Sequence, residues 1–330
     1  MMDVVERLPG YAELKAQISL NAVQRKMKEA REAELAKIIT GDSNKFLLVV
    51  GPCSADDHAA VVEYTIALAK ISEKVQDSIF IVPRVFTAKP RTTTTGYMGL
   101  IHTDGIKAVR GLHVDVIKAS GLITADDLLY TTAYPYLDDI VSYFVIGARS
   151  VENQEHRLVA SGIRGPVAMK NPTSGNLSCM VNAVCAARLP HDFFFDGCKM
   201  RSSGNPLAHG VLRGFERNGV TTPNYYIENL IELDRMQQSA GIGNPSVVID
   251  VSHANSGKNH TRQADIALEV LKMRRQNPVA RKLVWGLMIE SYIEEGSIAT
   301  HGMAHGRSVT DPCLCLPDTE KLILKIAEGL

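Results

Sequence analysis

Short and nearly continuous apolar runs recur along the chain from residue 46 onward, each followed by a polar or glycine-containing turn and then a helical stretch. Such runs are typical of strands covered on both faces, as in a parallel sheet. The runs predict strands within 46–54, 78–86, 114–121, 143–150, 165–172, 208–214, 246–254 and 283–291. Eight strand–helix units predict an α/β fold, a (β/α)8 TIM barrel, with a doubly wound open sheet as the alternative.

Two segments fall outside this alternation. Residues 1–45 form a predicted N-terminal extension, in which residues 11–40 are rich in Glu, Lys, Ala, Gln and Leu and predict one or two exposed helices, broken near Ser19. Residues 191–200 have strand composition around an Asp196–Gly197 pair and predict a small inserted β-hairpin. The predicted organisation is therefore a helical extension followed by a catalytic barrel over residues 46–330.

Composition restricts the classes of function. Lys and Arg total 36 and Asp and Glu total 36, so the formal net charge of zero argues against a general binder of nucleic acid or of anionic membranes. No stretch approaches the roughly 18 apolar residues that a membrane span needs. The six cysteines contain no CxxC pair and no signal-peptide pattern opens the chain, so we expect a reduced, cytoplasmic protein in which Cys313 and Cys315 are ordinary thiols.

Cations recur where the predicted strands end, which in a barrel is the mouth that carries catalysis. They are Arg84, Lys89, Arg91, Arg149, Lys170 and Arg213. A single one is most simply a solvated or salt-bridged charge, but so many converging in a neutral protein indicate a polyanionic ligand with phosphate or carboxylate groups. Two anionic substrates, or one with several anionic groups, would account for them.

A second group of strand-end residues suits a divalent metal. Cys53, His253 and Glu290 end the first, seventh and eighth predicted strands, which barrel closure makes neighbours, and Asp311 follows shortly after. A thiolate, an imidazole and two carboxylates suit Mn²⁺, Fe²⁺, Co²⁺ or Zn²⁺. The alternatives are a structural Cys with a hydrogen-bonded core His, or a Cys/His nucleophilic pair.

Several motifs carry a family resemblance. They are GPCS at 51–54, KPRT at 89–92, IGAR at 146–149, MKN at 169–171, LRG at 212–214, SHANSGK at 252–258 and ES at 290–291. In this order they resemble the class I 3-deoxy-D-arabino-heptulosonate 7-phosphate (DAHP) synthases, the first enzymes of the shikimate pathway, which leads through chorismate to the aromatic amino acids. KPRT favours this family over the related 3-deoxy-octulosonate 8-phosphate synthases.

The resemblance implies a metal-dependent, aldol-type condensation of phosphoenolpyruvate with erythrose 4-phosphate, with release of phosphate. It implies Cys53, His253, Glu290 and Asp311 as metal ligands and Lys89 near the aldehyde, so that Lys89, Cys53 and His253 form the catalytic set. The substrate-binding set that it implies is Arg84, Arg149, Lys170 and Arg213 for phosphoenolpyruvate, Arg91 and Thr92 for the erythrose phosphate, and Asp127. An aromatic amino acid inhibitor and a homodimer or homotetramer are further expectations from the family.

Three positions depart from the family pattern. Met98 stands where members usually have Lys, Asp127 where they have Glu, and the loop from Leu100 to Gly105 is short. Met cannot bind an anion, so we expect a phosphoenolpyruvate site that is weaker, reshaped or served by another cation such as Lys107. Two other hypotheses follow, a non-catalytic or regulatory paralogue that binds aromatic metabolites and a synthase for a different phosphorylated aldose.

Overall fold

Helices and strands alternate along the chain, in a computed structural model that describes residues 2–298 and 304–330. The helices are α1 (Tyr11–Gln17), α2 (Ala22–Thr40), α3 (His58–Val75), α4 (Leu100–Thr103), α5 (Gly105–Ser120), α6 (Tyr134–Leu137), α7 (Gln154–Gly162), α8 (Leu177–Arg188), α9 (Ile227–Ser239), α10 (Arg262–Gln276), α11 (Pro278–Leu283) and α12 (Leu316–Gly329). The strands are β1 (Phe46–Gly51), β2 (Ile79–Pro83), β3 (Ala125–Asp127), β4 (Tyr143–Ile146), β5 (Val167–Lys170), β6 (Asp192–Phe195), β7 (Cys198–Arg201), β8 (Ala208–Leu212), β9 (Phe215–Arg217), β10 (Val220–Thr222), β11 (Val247–Asp250) and β12 (Val284–Glu290). None of the described helices combines the length and the apolar composition that crossing a membrane requires.

Eight of the strands form one parallel sheet that closes on itself. Their order around the barrel is β1, β2, β3, β4, β5, β8, β11 and β12. The first and last strands pair along their length, with Gly51 opposite Glu290 at the mouth, and a parallel bridge between Arg84 and Ala125 joins the edge of β2 to β3. The predicted (β/α)8 barrel is confirmed, and the doubly wound open sheet is wrong.

The predicted third strand is in the wrong place. Residues 114–121 lie in and just after α5, and the third barrel strand is the three-residue β3. Val114 and Ile117 of α5 pack with Leu20 of the N-terminal segment, while other α5 residues join the main core. A helix covered on two sides carries apolar residues on both, so its composition resembles that of a buried strand. The other seven predicted runs each contain a barrel strand.

The N-terminal extension consists of two helices, with the expected break between Gln17 and Ala22. The side chain of Asn21 caps α2 by accepting a hydrogen bond from the backbone N–H of Gln24. The expectation that these helices are exposed is wrong for α2, because its last two turns bury Leu35, Ile38 and Ile39 among residues of the barrel interior. The extension therefore closes the N-terminal end of the barrel. The division of the chain at residue 45 stays a prediction, and residues 299–303 of the proposed barrel segment lie outside the described residues.

The inserted hairpin is present as predicted, between the fifth and sixth barrel strands. It pairs β6 with β7 antiparallel, and Asp196 and Gly197 turn the chain with φ of 51° and 70°. Positive φ at both turn positions is the geometry that an Asp–Gly pair favours. Phe194 at its tip is 85% exposed, so the hairpin offers an apolar surface to solvent.

Candidate active site

Three of the four predicted metal ligands come together at the C-terminal mouth of the barrel. One ligand atom from each of Cys53, Glu290 and Asp311 lies within 4.8 Å of the others. Cys53 follows β1 and Glu290 ends β12, two neighbouring strands. On the other side of β1, Gly51 lets the chain approach the end of β2 closely, because a Cβ there would lie 2.5 Å from the Arg84 carbonyl oxygen. Asp311 arrives from the segment before α12, with its Oδ2 3.7 Å from the Cys53 sulfur.

His253 joins this group from the turn after β11. Its backbone has φ of 51°, and the ring places Nε2 3.6 Å from Glu290 Oε1 and Nδ1 3.0 Å from Asp250 Oδ2. Burial outweighs the neighbouring carboxylates and lowers the pKa of His253, so the neutral ring is favoured. With Nδ1–H donated to Asp250, the free lone pair is on Nε2, the atom that faces the other ligands.

The chemistry of this donor set fits a divalent transition metal. Burial, together with the charge of Glu290, raises the pKa of the Cys53 thiol to about 11. Burial also acts on Asp311, but Lys89 and His253 outweigh it and hold its pKa at about 2. A thiol, a neutral imidazole and two carboxylates match the ligands that Mn²⁺, Fe²⁺, Co²⁺ and Zn²⁺ accept. Metal binding would displace the thiol proton.

Lys89 lies directly against this cluster. Its Nζ donates to the Cys53 sulfur at 2.6 Å and to the Cys53 carbonyl oxygen at 3.2 Å. Burial alone would lower the pKa of Lys89, but Cys53 and Glu290 outweigh it and raise the pKa above its usual value. Lys89 therefore carries its proton at neutral pH, beside the predicted metal position.

Two buried cations occupy the floor of the cleft. Arg84 donates to Glu290 Oε1 at 3.0 Å, and Lys170 donates to Asp250 Oδ2 at 2.9 Å. Both lie over the ring of Phe86, at 4.2 Å and 5.9 Å from its centroid. Within the part of the chain that the structure describes, Arg84 Nη1 is buried without a hydrogen-bond partner, so this guanidinium keeps a donor for an anionic ligand.

The remaining predicted cations complete the walls of the same cleft. Burial lowers the pKa of Arg213, whose backbone N–H donates to Asn171 Oδ1 at 2.9 Å. Arg91 is oriented by donating Nε–H to the carbonyl oxygen of Tyr97 at 2.9 Å. The lining of the cleft consists of Arg84, Phe86, Lys89, Pro90, Arg91, Asp127, Gly147, Ala148, Arg149, Lys170, Arg213, His253, Lys258 and Asp311. Thr92 is exposed on the neighbouring loop and does not line it.

Asp127 is an acidic residue that lies among these cations in the cleft lining. Its Oδ1 is buried and accepts no hydrogen bond from residues 2–298 or 304–330. Burial raises the pKa of Asp127 to about 7, although Lys170 acts in the opposite direction. With its pKa raised this far, the carboxyl group can donate a hydrogen bond when protonated and accept one when ionised.

Three site residues escaped prediction from the sequence. Asp250 links Lys170 to His253, Phe86 supports two cations from below, and Lys258 adds a further cation to the cleft. The signal for Asp250 was an acidic residue within an otherwise apolar run at 246–251, and Lys258 ends the SHANSGK motif. Nothing in the sequence marks Phe86, because an aromatic residue at a strand end is as common in a core.

Of the departures from the family pattern, Asp127 lines the cleft and Met98 does not. Met98 and Lys107 are both absent from the lining, and Lys107 is exposed on α5. The backbone carbonyl of Met98 accepts a hydrogen bond from the Lys89 N–H at 2.9 Å. Met98 thus contributes through its backbone to the position of Lys89, and the expectation that Lys107 supplies the missing cation is not supported by its position.

Comparisons with known proteins converge on one family. The model of the DAHP synthetase I family matches residues 17–323. The chain is 34% identical over 346 residues to the Phe-sensitive phospho-2-dehydro-3-deoxyheptonate aldolase of Escherichia coli, covering 99% of this chain and 95% of that protein. It is 35% identical to the Trp-sensitive enzyme of Enterobacter agglomerans, over 91% of this chain and 88% of that protein. A phospho-2-dehydro-3-deoxyheptonate aldolase structure from Francisella tularensis superposes with a TM-score of 0.91 at 30% identity, covering 100% of this chain and 98% of that one.

Proposed function

The chain belongs to the DAHP synthetase I family and catalyses the DAHP synthase reaction, and we propose that the cleft at its barrel mouth joins phosphoenolpyruvate to erythrose 4-phosphate and releases phosphate. The observation that carries the proposal is the convergence of Cys53, Glu290 and Asp311 in a cleft lined by seven Lys and Arg side chains. Phosphoenolpyruvate brings a phosphate and a carboxylate, and the second substrate another phosphate. Three anionic groups explain why so many cations converge.

Phosphoenolpyruvate would occupy the deeper part of the cleft. Arg84, Lys170 and Arg213 lie at strand ends there, and Arg149 follows β4. Arg84 and Lys170 are held rigidly by ion pairs with Glu290 and Asp250, so their charges are in place before the substrate arrives. Erythrose 4-phosphate would then enter toward Arg91 and Thr92 on the KPRT loop.

Cys53, His253, Glu290 and Asp311 would hold a divalent metal, which polarises the aldehyde oxygen of erythrose 4-phosphate as a Lewis acid when bound. The vinyl carbon of phosphoenolpyruvate forms the new bond to the aldehyde carbon. Lys89, which carries its proton 2.6 Å from the Cys53 sulfur, donates that proton to the developing alkoxide. Water adds to the second carbon of phosphoenolpyruvate, and phosphate leaves by cleavage of its C–O bond.

Asp127 would act on the substrate as a hydrogen-bonding group. Its unpartnered Oδ1 lies among the cleft cations. A carboxyl group with a pKa of about 7 can accept a hydrogen bond from a bound water or substrate hydroxyl above that pH. The substitution of Asp for the family Glu shortens this side chain by one methylene group.

An aromatic amino acid would regulate the enzyme. Relatives named Phe-sensitive, Trp-sensitive and Tyr-sensitive are 34%, 35% and 34% identical to this chain, so overall identity does not select among the three inhibitors. A cytoplasmic location and a homodimer or homotetramer remain part of the proposal, as expectations from the family.

An assay of phosphate release tests the substrates. Purified protein with Mn²⁺ should release phosphate from phosphoenolpyruvate only when erythrose 4-phosphate is also present, and arabinose 5-phosphate should replace it poorly. Phosphate release with arabinose 5-phosphate at an equal or higher kcat/KM would favour the synthase of a different aldose. No release with either aldehyde, combined with calorimetric binding of Phe, Tyr or chorismate, would favour the regulatory paralogue.

A further inference from the structure

A second cationic cleft lies at the opposite end of the barrel from the active site. It is formed where β1 begins at Phe46 and β12 carries Trp285, together with α10, α11 and the end of α12. Its cavity volume is about 570 Å³. We call it the basal cleft, and its cations are Lys45, Arg274, Arg275, Arg281 and Lys282. The described residues that line it include no Asp or Glu side chain.

The two lysines of the basal cleft are paired, and the three arginines are not. Lys45 pairs with Glu34 and Lys282 pairs with Asp234 at 2.8 Å, both carboxylates lying outside the lining. Among the described residues, no carboxylate lies within ion-pair distance of the arginines. Unpaired guanidinium groups that converge on one concave surface repel each other unless an anion lies between them.

Arg274 is the most constrained of the three. Its guanidinium lies 4.7 Å from the centroid of the Phe46 ring, and its Nε is buried without a hydrogen-bond partner among the described residues. Burial and the charge of Arg281 lower the pKa of Arg274 to about 10. A buried donor without an acceptor costs free energy, and an anion bound in the cleft would supply the acceptor.

Arg275 and Arg281 are oriented by backbone carbonyls. Arg275 donates to the carbonyl oxygen of Gly329 at 2.8 Å, and Arg281 donates to that of Arg275 at 3.5 Å. A guanidinium has five N–H donors, so both keep donors for a ligand. Carbonyl contacts fix the side chains without neutralising their charge.

We propose that the basal cleft binds a small multivalent oxyanion, with a phosphate group held by Arg274, Arg275 and Arg281. Planar guanidinium groups match the geometry of phosphate oxygens and bind them through paired hydrogen bonds. The site is separate from the catalytic cleft, because β12 runs from Trp285 at one end to Glu290 at the other, a distance of about 17 Å at the usual rise per residue. A small polycarboxylate would also offer several anionic oxygens to these guanidinium groups.

Trp285 provides a direct reporter of binding. It is the only tryptophan in the sequence, it lines the basal cleft, and its Nε1–H donates to the carbonyl oxygen of Lys282 at 2.6 Å. Its ring also packs against Gly41, where a Cβ would lie only 2.5 Å from the ring. All tryptophan fluorescence of the protein therefore comes from the basal cleft.

The experiment titrates the metal-loaded protein with inorganic pyrophosphate, inorganic phosphate, citrate and, at matched ionic strength, NaCl. We expect a saturable change in Trp285 emission with pyrophosphate and a weaker one with phosphate. Saturation with citrate alone would assign the site to polycarboxylates and overturn the phosphate assignment. An identical change with NaCl at the same ionic strength would overturn the proposal.

Substitutions separate the basal cleft from the catalytic one. Arg274→Gln with Arg281→Gln should weaken pyrophosphate binding about tenfold or more, while Lys26→Gln, at an exposed residue of α2 outside the cleft, should not. Arg281→Gln alone, at an exposed position, keeps the test available if the double variant does not fold. Unchanged affinity for pyrophosphate in a folded variant that lacks these arginines would contradict the proposal. Phosphate release from the two substrates tests the proposed catalytic function independently of this result.

Discussion

The ammonium nitrogen of Lys89 lies 2.6 Å from the sulfur of Cys53. This contact places a charged proton donor directly against a predicted metal ligand at the barrel mouth. The KPRT loop that carries Lys89 is anchored by Asp126, which accepts hydrogen bonds from the Thr87 N–H and hydroxyl at 2.8 Å and 2.6 Å. Metal binding and proton transfer would therefore occur on adjacent atoms of a fixed structure.

Replacing Lys89 by Met should remove the proton donor while leaving the metal ligands in place. We expect kcat to fall by about 10²–10⁴-fold, the usual contribution of a positioned acid, with metal content unchanged. Steady-state kinetics and metal analysis measure both. Lys107→Met is the matched control, because Lys107 is exposed on α5 and should not affect kcat. A kcat near the parent value in K89M would remove Lys89 from the catalytic set.

Replacing Cys53 by Ala should weaken metal binding and leave the fold intact. Cys53 is fully buried, so loss of one sulfur atom should cost stability of only about 1 kcal/mol. Mutation of groups that only support a metal ligand typically lowers metal affinity or activity about 10–100-fold. Cys53 is a predicted ligand itself, so we expect metal affinity to fall by about 100-fold or more. Isothermal calorimetry with Mn²⁺ and thermal melts measure the two quantities. Cys198→Ala, at an exposed cysteine, is the control, and equal affinity in both variants would sink the assignment.

The two ends of the cleft should respond differently to loss of an arginine. Arg149→Gln should raise the KM for phosphoenolpyruvate, and Arg91→Gln should raise the KM for erythrose 4-phosphate. Each variant loses charge-assisted hydrogen bonds to one substrate. We therefore expect the KM for that substrate to rise about 10–100-fold and the KM for the other substrate to change much less. Equal effects of both variants on both substrates would contradict the assignment of the two substrates to separate parts of the cleft.

Asp127 should make the stability of the free protein depend on pH. Because burial raises its pKa from 3.8 to about 7, the folded state binds a proton more tightly than the unfolded state, and stability falls as pH rises between these values. Asp127→Asn removes the ionisable group and with it this loss. The unfolding free energy of the variant, measured relative to that of the parent, should therefore rise by on the order of 1–3 kcal/mol from pH 4 to pH 8. Urea unfolding at both pH values measures the difference. Asp77→Asn, at an exposed residue, should show no such gain, and a parallel pH dependence of D127N and the parent would refute the prediction.

Most of the barrel could be predicted because its strands are buried on both faces and therefore carry a distinct apolar pattern. The exception shows the limit of that signal. β3 has the sequence Ala-Asp-Asp, too short and too polar to mark a strand, while α5 buries Val114, Val116 and Ile117 close together because it is covered on two sides. Periodicity fails where tertiary packing, and not the element itself, determines which residues are buried.

The sequence could place the site residues at one edge of the barrel because the ends of its strands are readable from the apolar pattern. The sequence does not reveal how their charges are balanced. Asp250 pairs with Lys170 and also with His253, and although burial alone would raise its pKa, these two partners hold the pKa well below its usual value. Such pairing depends on side chains from two strands, β5 and β11, that are not neighbours in the chain.

Metal dependence of turnover tests the central proposal, that Cys53, His253, Glu290 and Asp311 hold a catalytic metal. Phosphate release from phosphoenolpyruvate and erythrose 4-phosphate would be measured with Mn²⁺, after EDTA treatment and dialysis, and after Mn²⁺ is restored. We predict that turnover stops in the metal-free protein and returns with the added ion in the parent but not in Cys53→Ala. Undiminished turnover by verified metal-free protein would contradict the account.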